Sequence, residues 1–167
     1  MFARTERLLL RPGWLEDAPA LARAIGEEAV VRNLARAPWP YGMDEAQDFL
    51  GRPVDPAQPS FLIFARTGGA PRLVSGCGIA PSPEGPLEMG YWIARPYWGL
   101  GFATEAGRQL VRIARAMQLP KLTAGHFLDN PASGAVLRKL GFRPTGQIAQ
   151  RYSVARGRDV ACALFEE

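Results

Sequence analysis

The chain has 167 residues, 47% hydrophobic and 22% charged, a balance that fits one globular domain with a core large enough to need no staples. Its net charge of +4 suits an anionic ligand, but the arginines are scattered rather than run together, which argues against a nucleic-acid interface. No apolar run approaches the ~20 residues of a membrane span, so no membrane role is expected.

The N-terminus, Met-Phe-Ala-Arg-Thr-Glu-Arg, lacks the apolar centre of a signal peptide, so a cytoplasmic location is the default expectation. Glu6 to Arg11 reads as a first strand closed by Pro12-Gly13. Trp14 to Gly26 reads as a helix with Leu15, Ala18, Leu21, Ala22 and Ile25 as one stripe and Gly26 as its stop. A short helix follows over Glu28 to Ala35, then a rigid aromatic loop, Ala37 to Gly42. A third helix spans Asp44 to Leu50, with Asp44 as its candidate cap. Pro53, Pro56 and Pro59 break regular structure.

Ser60 to Arg66 and Arg72 to Ala80 read as two strands of a hairpin joined at Thr67-Gly-Gly-Ala-Pro71. Leu87 to Ala94 is a third, ended by Arg95-Pro96. A helix then carries Ala103, Ala106, Leu110, Ile113, Ala114 and Met117 on one face, with Arg108, Arg112 and Arg115 elsewhere and Pro120 as its stop. Lys121 to Leu128 is a strand, and Asn130 with Pro131 at the first helical position opens a helix that Gly141 terminates. Phe142 to Ala149 and Val160 to Phe165 finish as strands. The order β-α-α-α-β-β-β-α-β-α-β-β, in one domain over residues 1–167, argues for an α+β or mixed α/β fold.

The turn at Gly99 and Gly101 has several readings. It can be a plain strand-to-helix connection, with glycines for geometry. It can also be an anion site, because amides at a helix start are unpaired and the dipole favours negative charge. A dinucleotide fingerprint does not fit, since Thr104 stands at its third glycine and no acidic residue ends a strand ~20 residues on. A P-loop does not fit either, because no Gly-Lys-Ser/Thr follows.

Trp98-Gly-Leu-Gly-Phe-Ala103 within Tyr91 to Glu105 resembles the acetyl-coenzyme A loop of the GNAT acetyltransferase superfamily. Gly101 and Ala103 match that loop's last two defined positions, while Trp98 stands where glutamine or arginine is usual. Asn130-Pro-Ala-Ser133 followed by Leu140-Gly-Phe142 is similar to the RimJ/RimL branch, at the right distance downstream. The resemblance covers nearly the whole chain. It implies a mostly antiparallel central sheet flanked by helices, with the strands ending near Ile93 and Leu128 splayed apart around the cofactor. It further implies that backbone amides of Gly99, Leu100, Gly101, Phe102, Ala103 and Thr104 cradle the pyrophosphate. Backbone groups of Ile93 and Ala94 would pair with the pantetheine arm, and Asn130 would contact the cofactor. The expected partner is an amine acceptor, a small molecule or a protein N-terminus, and the expected state a monomer or homodimer. A non-catalytic acyl-coenzyme A-binding domain is the alternative, supported by Leu137 at the position of the family's acid tyrosine.

Two residues are candidates for the base. Alternation puts Glu88 with Gly90 and Trp92 on one strand face, opposite Leu87, Met89, Tyr91 and Ile93. His126 shares a face with Leu122, Ala124 and Leu128, and its ordinary pKa of ~6.5 suits proton transfer. Each has a plainer role, Glu88 as an exposed charge and His126 as a packed ring; Asn130 can cap its helix as well as bind. Ser133 is the fallback acid, able to orient water or sulfur, or to bond within its helix's first turn. Trp39 and Tyr41, rigid aromatics in a loop, are the candidate substrate contacts, or else a packed connector. One histidine and two separated cysteines give no metal constellation. Cys77 and Cys162 read as buried thiols away from the cofactor motifs.

Overall fold

The computed structural model describes residues 1–167. Strands β1 (Ala3–Arg4), β2 (Leu8–Arg11), β3 (Ser60–Ala65), β4 (Arg72–Pro81), β5 (Leu87–Ile93), β6 (Thr123–Phe127), β7 (Arg143–Ser153) and β8 (Arg158–Glu166) form one sheet. Its order is β1-β2-β3-β4-β5-β6-β8-β7. Every neighbouring pair is antiparallel except β5 and β6. The helices are α1 (Ala18–Ile25), α2 (Glu28–Val31), α3 (Met43–Leu50), α4 (Phe102–Ala116) and α5 (Pro131–Lys139). The class is α+β, as expected.

Strand alternation divides the apolar side chains between two layers. On one face, Ile63, Val74, Met89, Leu122 and Phe165 meet Ala106, Leu110 and Ala114 of α4 and Leu137 of α5. On the other, Leu62 and Phe64 meet Leu21 and Ile25 of α1, Val31 of α2 and Ala46 of α3. Of the expected α4 stripe, Ala106, Leu110, Ile113 and Ala114 are buried, Ala103 and Met117 are half-buried, and Phe102 and Gly107 join the buried face. Where α4 meets α5, a Cβ at Gly107 would lie 2.6 Å from Leu140 Cδ1, so the missing side chain sets how closely the helices approach.

Several boundaries differ from the sequence reading. A 3-10 turn, Leu15–Asp17, precedes α1. The cap of α3 is Gly42, whose N–H donates to Glu45 Oε2 at 2.8 Å, and Asp44 sits inside the first turn. α4 ends at Ala116, and Gln118 takes φ +56° two residues before Pro120. Gly141 ends α5 at φ +95°, as expected, with Phe142 N–H returning to Leu137 O at 3.1 Å. β7 runs on through the polar Gln150-Arg151-Tyr152, because each finds a partner on β8.

The start of α1 is tied to β2 by an ion pair. Arg11 donates from Nη1 and Nη2 to the two Asp17 oxygens at 2.7 Å each, and Trp14 N–H adds a third donor at 2.8 Å. The guanidinium also lies 4.1 Å from the rings of Trp14 and Phe64. Burial raises the Asp17 pKa, but the Arg11 and Trp14 hydrogen bonds and the Arg11 charge outweigh it and leave the carboxyl below its ordinary value. Removing one partner of such a pair leaves the other buried and unpaired, so Asp17→Asn should cost about 3 kcal/mol in denaturant titrations at neutral pH. With the folded value depressed, the wild-type contribution is complete above the unfolded value of ~3.9 and disappears as pH falls through the folded one. The gap between variant and wild type should therefore narrow on acidification.

Candidate active site

β4 and β5 pair along the whole of Leu87–Ile93, whereas β6 joins β5 at the single register pair Glu88↔Thr123. Beyond that point β5 stays with β4 and β6 stays with β8, so the two parallel strands part. The expected splay is present. A cavity of about 740 Å³ occupies the gap and reaches from Glu88 and Gly125 at one end to the Gly99–Thr104 turn at its mouth.

The turn is held in its shape by two glycines and an arginine. Gly99 has φ +77° and Gly101 φ +79°, left-handed values that disfavour any Cβ. The first α-helical bond runs from Glu105 N–H to Gly101 O, and none of the amides from Gly99 through Thr104 has an acceptor within the chain. No atom lies within 4 Å of where a Gly99 Cβ would stand. Arg7 closes one side: its Nη1 donates to Leu100 O at 2.9 Å, its Nε to Glu105 Oε2 at 2.7 Å, and its guanidinium covers the Phe102 ring at 4.6 Å. The sequence reading missed Arg7, which lies nearly a hundred residues from the turn it braces.

Only part of the expected pantetheine edge is free. Ala94 is buried and its N–H donates to Val74 O at 2.9 Å, while Ile93 O accepts Trp98 Nε1–H at 2.8 Å. Ala94 therefore serves the sheet. Ile93 N–H, directed to the opposite edge by strand alternation, is the group left facing the gap. Trp98 thus acts as an indole donor in the turn. Leu100 and Ala94 do not line the cavity, whereas Ile93, Gly99, Gly101, Phe102, Ala103 and Thr104 do.

Glu88 and His126 both line the cavity but from opposite sheet faces. Glu88 Oε1 accepts Arg151 Nη1–H at 3.0 Å, and Oε2 lies 2.8 Å from Nη2 without an aligned hydrogen bond, so it remains a buried acceptor. Arg151 also donates from Nη2 to Glu84 Oε2 at 2.7 Å. Its guanidinium fits because residue 125 is glycine: a Cβ there would meet Arg151 Nη1 at 3.2 Å and Cys162 Sγ at 2.8 Å. Burial alone would lower the Arg151 pKa, and the two carboxylates reverse this and raise it.

His126 Nδ1–H donates to Phe127 O at 2.8 Å, and the ring packs 5.5 Å from Phe165 and against Gly134 of α5. The ring thus packs between sheet and helix at the cavity wall. Asn130 precedes α5 without a side-chain capping bond, so its amide serves the cavity wall rather than the cap. Ser133 Oγ lies 2.7 Å from the Tyr91 hydroxyl. Leu137 is buried in the main core.

Tyr41 does not contact the cavity. It is buried between α1 and α3, with its phenol pushed up to about 12 by burial, and Trp39 is exposed outside the gap. The connector role accounts for Tyr41, because loop aromatics find the same apolar layer that the helices cover. The wall expected of them is instead formed by Arg32 to Ala35 after α2. That segment is clamped by Val154 N–H to Ala35 O at 2.9 Å and by Arg156 Nε–H to Arg32 O at 2.8 Å. Arg156 also pairs with Asp129 at 2.6 and 3.0 Å and holds that carboxyl below its usual range. Cys162, expected away from the site, lines the cavity, because Gly125 opposite leaves its sulfur in view. Burial pushes its thiol up to about 11, so it is not a ready nucleophile.

A broken sheet whose gap ends at a bare helix start leaves a slot open to an extended, anionic ligand. The acetyltransferase (GNAT) domain model matches residues 7–143, and the chain belongs to that family of acetyltransferases. The uncharacterized N-acetyltransferase p20 of Bacillus licheniformis is 28% identical over 169 residues, covering 96% of this chain and 92% of that protein. Among solved structures, a GNAT-family acetyltransferase from Bacillus anthracis superposes with a TM-score of 0.83 at 20% identity, covering 100% of this chain and 98% of that one. RimL, the ribosomal L7/L12 alpha-N-protein acetyltransferase solved with coenzyme A, gives 0.78 at 18% identity, covering 100% and 97%. At these identities the structural likeness is one of fold.

Arg7 is the one cationic side chain bonded to the turn, so its loss should be felt by an anionic ligand there. Arg7→Met should weaken coenzyme A binding about tenfold in calorimetric titration, about 1.4 kcal/mol, and the difference should shrink as salt is added.

Proposed function

We propose that the protein transfers an acetyl group from acetyl-coenzyme A directly to a primary amine, with an α-amine as the favoured acceptor. The observation that carries this reading is the row of unpaired amides from Gly99 through Thr104 at the mouth of the gap between β5 and β6. The residues fit the cosubstrate: the Gly99 amide is open to close approach, the helix start favours a pyrophosphate, and Ile93 N–H offers an edge to the pantetheine arm. When bound, acetyl-coenzyme A supplies a thioester whose carbonyl carbon an amine attacks and whose sulfur leaves with the bonding pair. Glu88, which lines the cavity, serves as proton acceptor. Ser133 faces the leaving sulfur from the first turn of α5, and Asn130 contacts the cofactor beside it. With Cys162 protonated at neutral pH, no covalent enzyme intermediate is invoked.

The acceptor preference follows from the base. Glu88 already holds Arg151, so an acceptor that gives up its proton readily is favoured. Deprotonation at neutral pH costs roughly 4–5 kcal/mol for a lysine amine and roughly 1 for an α-amine. RimL, named for an alpha-N-protein activity, lends support through its shared fold.

Acetyl-coenzyme A at about 100-fold excess over Kd should add ~2.7 kcal/mol, roughly 5–10 °C in Tm. NAD should give no shift, and Gly101→Val should abolish the shift while still unfolding cooperatively, since φ +79° and ligand approach both exclude a β-branched residue. A shift with NAD, or none with acetyl-coenzyme A at millimolar concentration, would overturn the reading. Separately, Glu88→Gln should lower kcat/KM for an α-amine peptide by ~10²-fold with cofactor affinity little changed. A larger loss from His126→Ala would reassign the base.

A further inference from the structure

Tyr91 is a buried-side residue of β5 that the catalytic reading above does not use. It lies two positions before Ile93 on the strand edging the gap and lines the cavity with Ser133. Its hydroxyl reaches across to α5, 2.7 Å from Ser133 Oγ and 3.3 Å from Ser133 O. The two elements belong to opposite walls of the cavity, so this contact spans the place where the sheet is open.

A phenol has one proton to give. At 2.7 Å the short contact is to Ser133 Oγ, and the serine then keeps its own O–H free to turn toward the cavity. A lone serine hydroxyl rotates freely, whereas one that must accept from a fixed phenol has its remaining proton direction restricted. Tyr91 is itself fixed, because β5 is paired along its full length and the ring packs against the main core.

Resting on the acetyl-transfer reading, we propose that Tyr91 is a positioning residue: its O–H donates to Ser133 Oγ and orients the Ser133 O–H onto the sulfur that leaves the acetyl group. The carbon–sulfur bond breaks with its electron pair on sulfur, and two hydrogen bonds in series hold the thiolate. No proton is transferred along them. Burial raises the Tyr91 pKa, more than the Ser133 contact lowers it, so the phenol keeps its proton and acts as a donor rather than an acid. The proton that finally neutralises sulfur is the one released by the amine, carried through solvent. This division of labour accounts for an α5 that carries Leu137 instead of a tyrosine: the phenol comes from β5 and acts through a serine. The other titratable groups lining the cavity are Tyr97, His126, Lys139, Glu88, Arg151, Cys162, Arg32 and Asp129.

The test is the ionisation of coenzyme A thiol bound to the protein, followed by the ultraviolet absorbance of the thiolate, alongside kcat. In the wild type the bound thiol should ionise at lower pH than free coenzyme A. Ser133→Ala should raise that value by about one unit, a tenfold change in the ionised ratio, and Tyr91→Phe should do nearly the same with the ring packing kept. The double variant should shift no further than either single one, since both break one chain of bonds. Coenzyme A affinity should stay within about threefold, and kcat should fall about tenfold in each at unchanged KM for acetyl-coenzyme A. A wild-type value in Tyr91→Phe, or shifts that add, would overturn the positioning role and leave acetyl transfer standing. A shift with Tyr91→Phe but none with Ser133→Ala would make Tyr91 a direct donor and also overturn it. If the wild type fails to bind coenzyme A, the acetyl-transfer reading falls first.

Discussion

The separation of β5 from β6 is the constraint on which the site depends. Parallel neighbours in a sheet normally satisfy each other's amides and carbonyls along their length, and an unpaired edge inside a domain costs free energy unless something bonds it. Here the ladder stops after Glu88↔Thr123, and the chain covers only part of the exposed edge. Trp98 takes Ile93 O, and the Tyr91–Ser133 contact bridges the gap from β5 to α5. What remains is a slot of mixed apolar and polar lining with a glycine turn at its mouth, along which Ile93 N–H is left free.

Keeping that slot open is a packing problem solved from both faces. On the α4–α5 side, the His126 ring sits against Gly134 and Phe165, and Gly107 lets α4 approach α5 closely. On the other side, the Trp92 indole lies over Gly76, where a Cβ would come within 2.5 Å of Nε1. Arg151 stretches flat across Gly125 between two glutamates. In each case a glycine on one element admits a ring or guanidinium from another. The volumes are matched in pairs, so loss of either member shifts a strand edge.

Charge follows the same geometry. Arg7 pairs with Glu105 at the mouth, where the two charges cancel, while Glu84, Arg151 and Glu88 sum to one negative charge at the other end. The amides left free at the turn are backbone groups, whose positions depend on fold rather than side-chain identity.

Periodicity and turn chemistry located most of the helices and strands, because each records which faces are buried and where a chain of that composition must turn; the edge strand β1 and the far half of β7 lacked such a pattern. The α4 stripe, the Asn130-Pro131 start of α5 and the Gly141 stop were all legible for that reason. So was the glycine turn before α4, since Gly99 and Gly101 both take left-handed angles there. Tertiary structure decided which side chains meet. Nothing local tells Arg7 to brace Leu100 and Glu105, Arg151 to claim Glu88, or Tyr91 to reach Ser133, because those pairs are brought together by sheet order across long stretches of chain. Nor could Trp39 and Tyr41 be told from a binding loop, since an aromatic loop residue lowers its free energy equally by covering a core or a ligand. Only the position of α1 and α3 beneath Tyr41 decided that it covers the core.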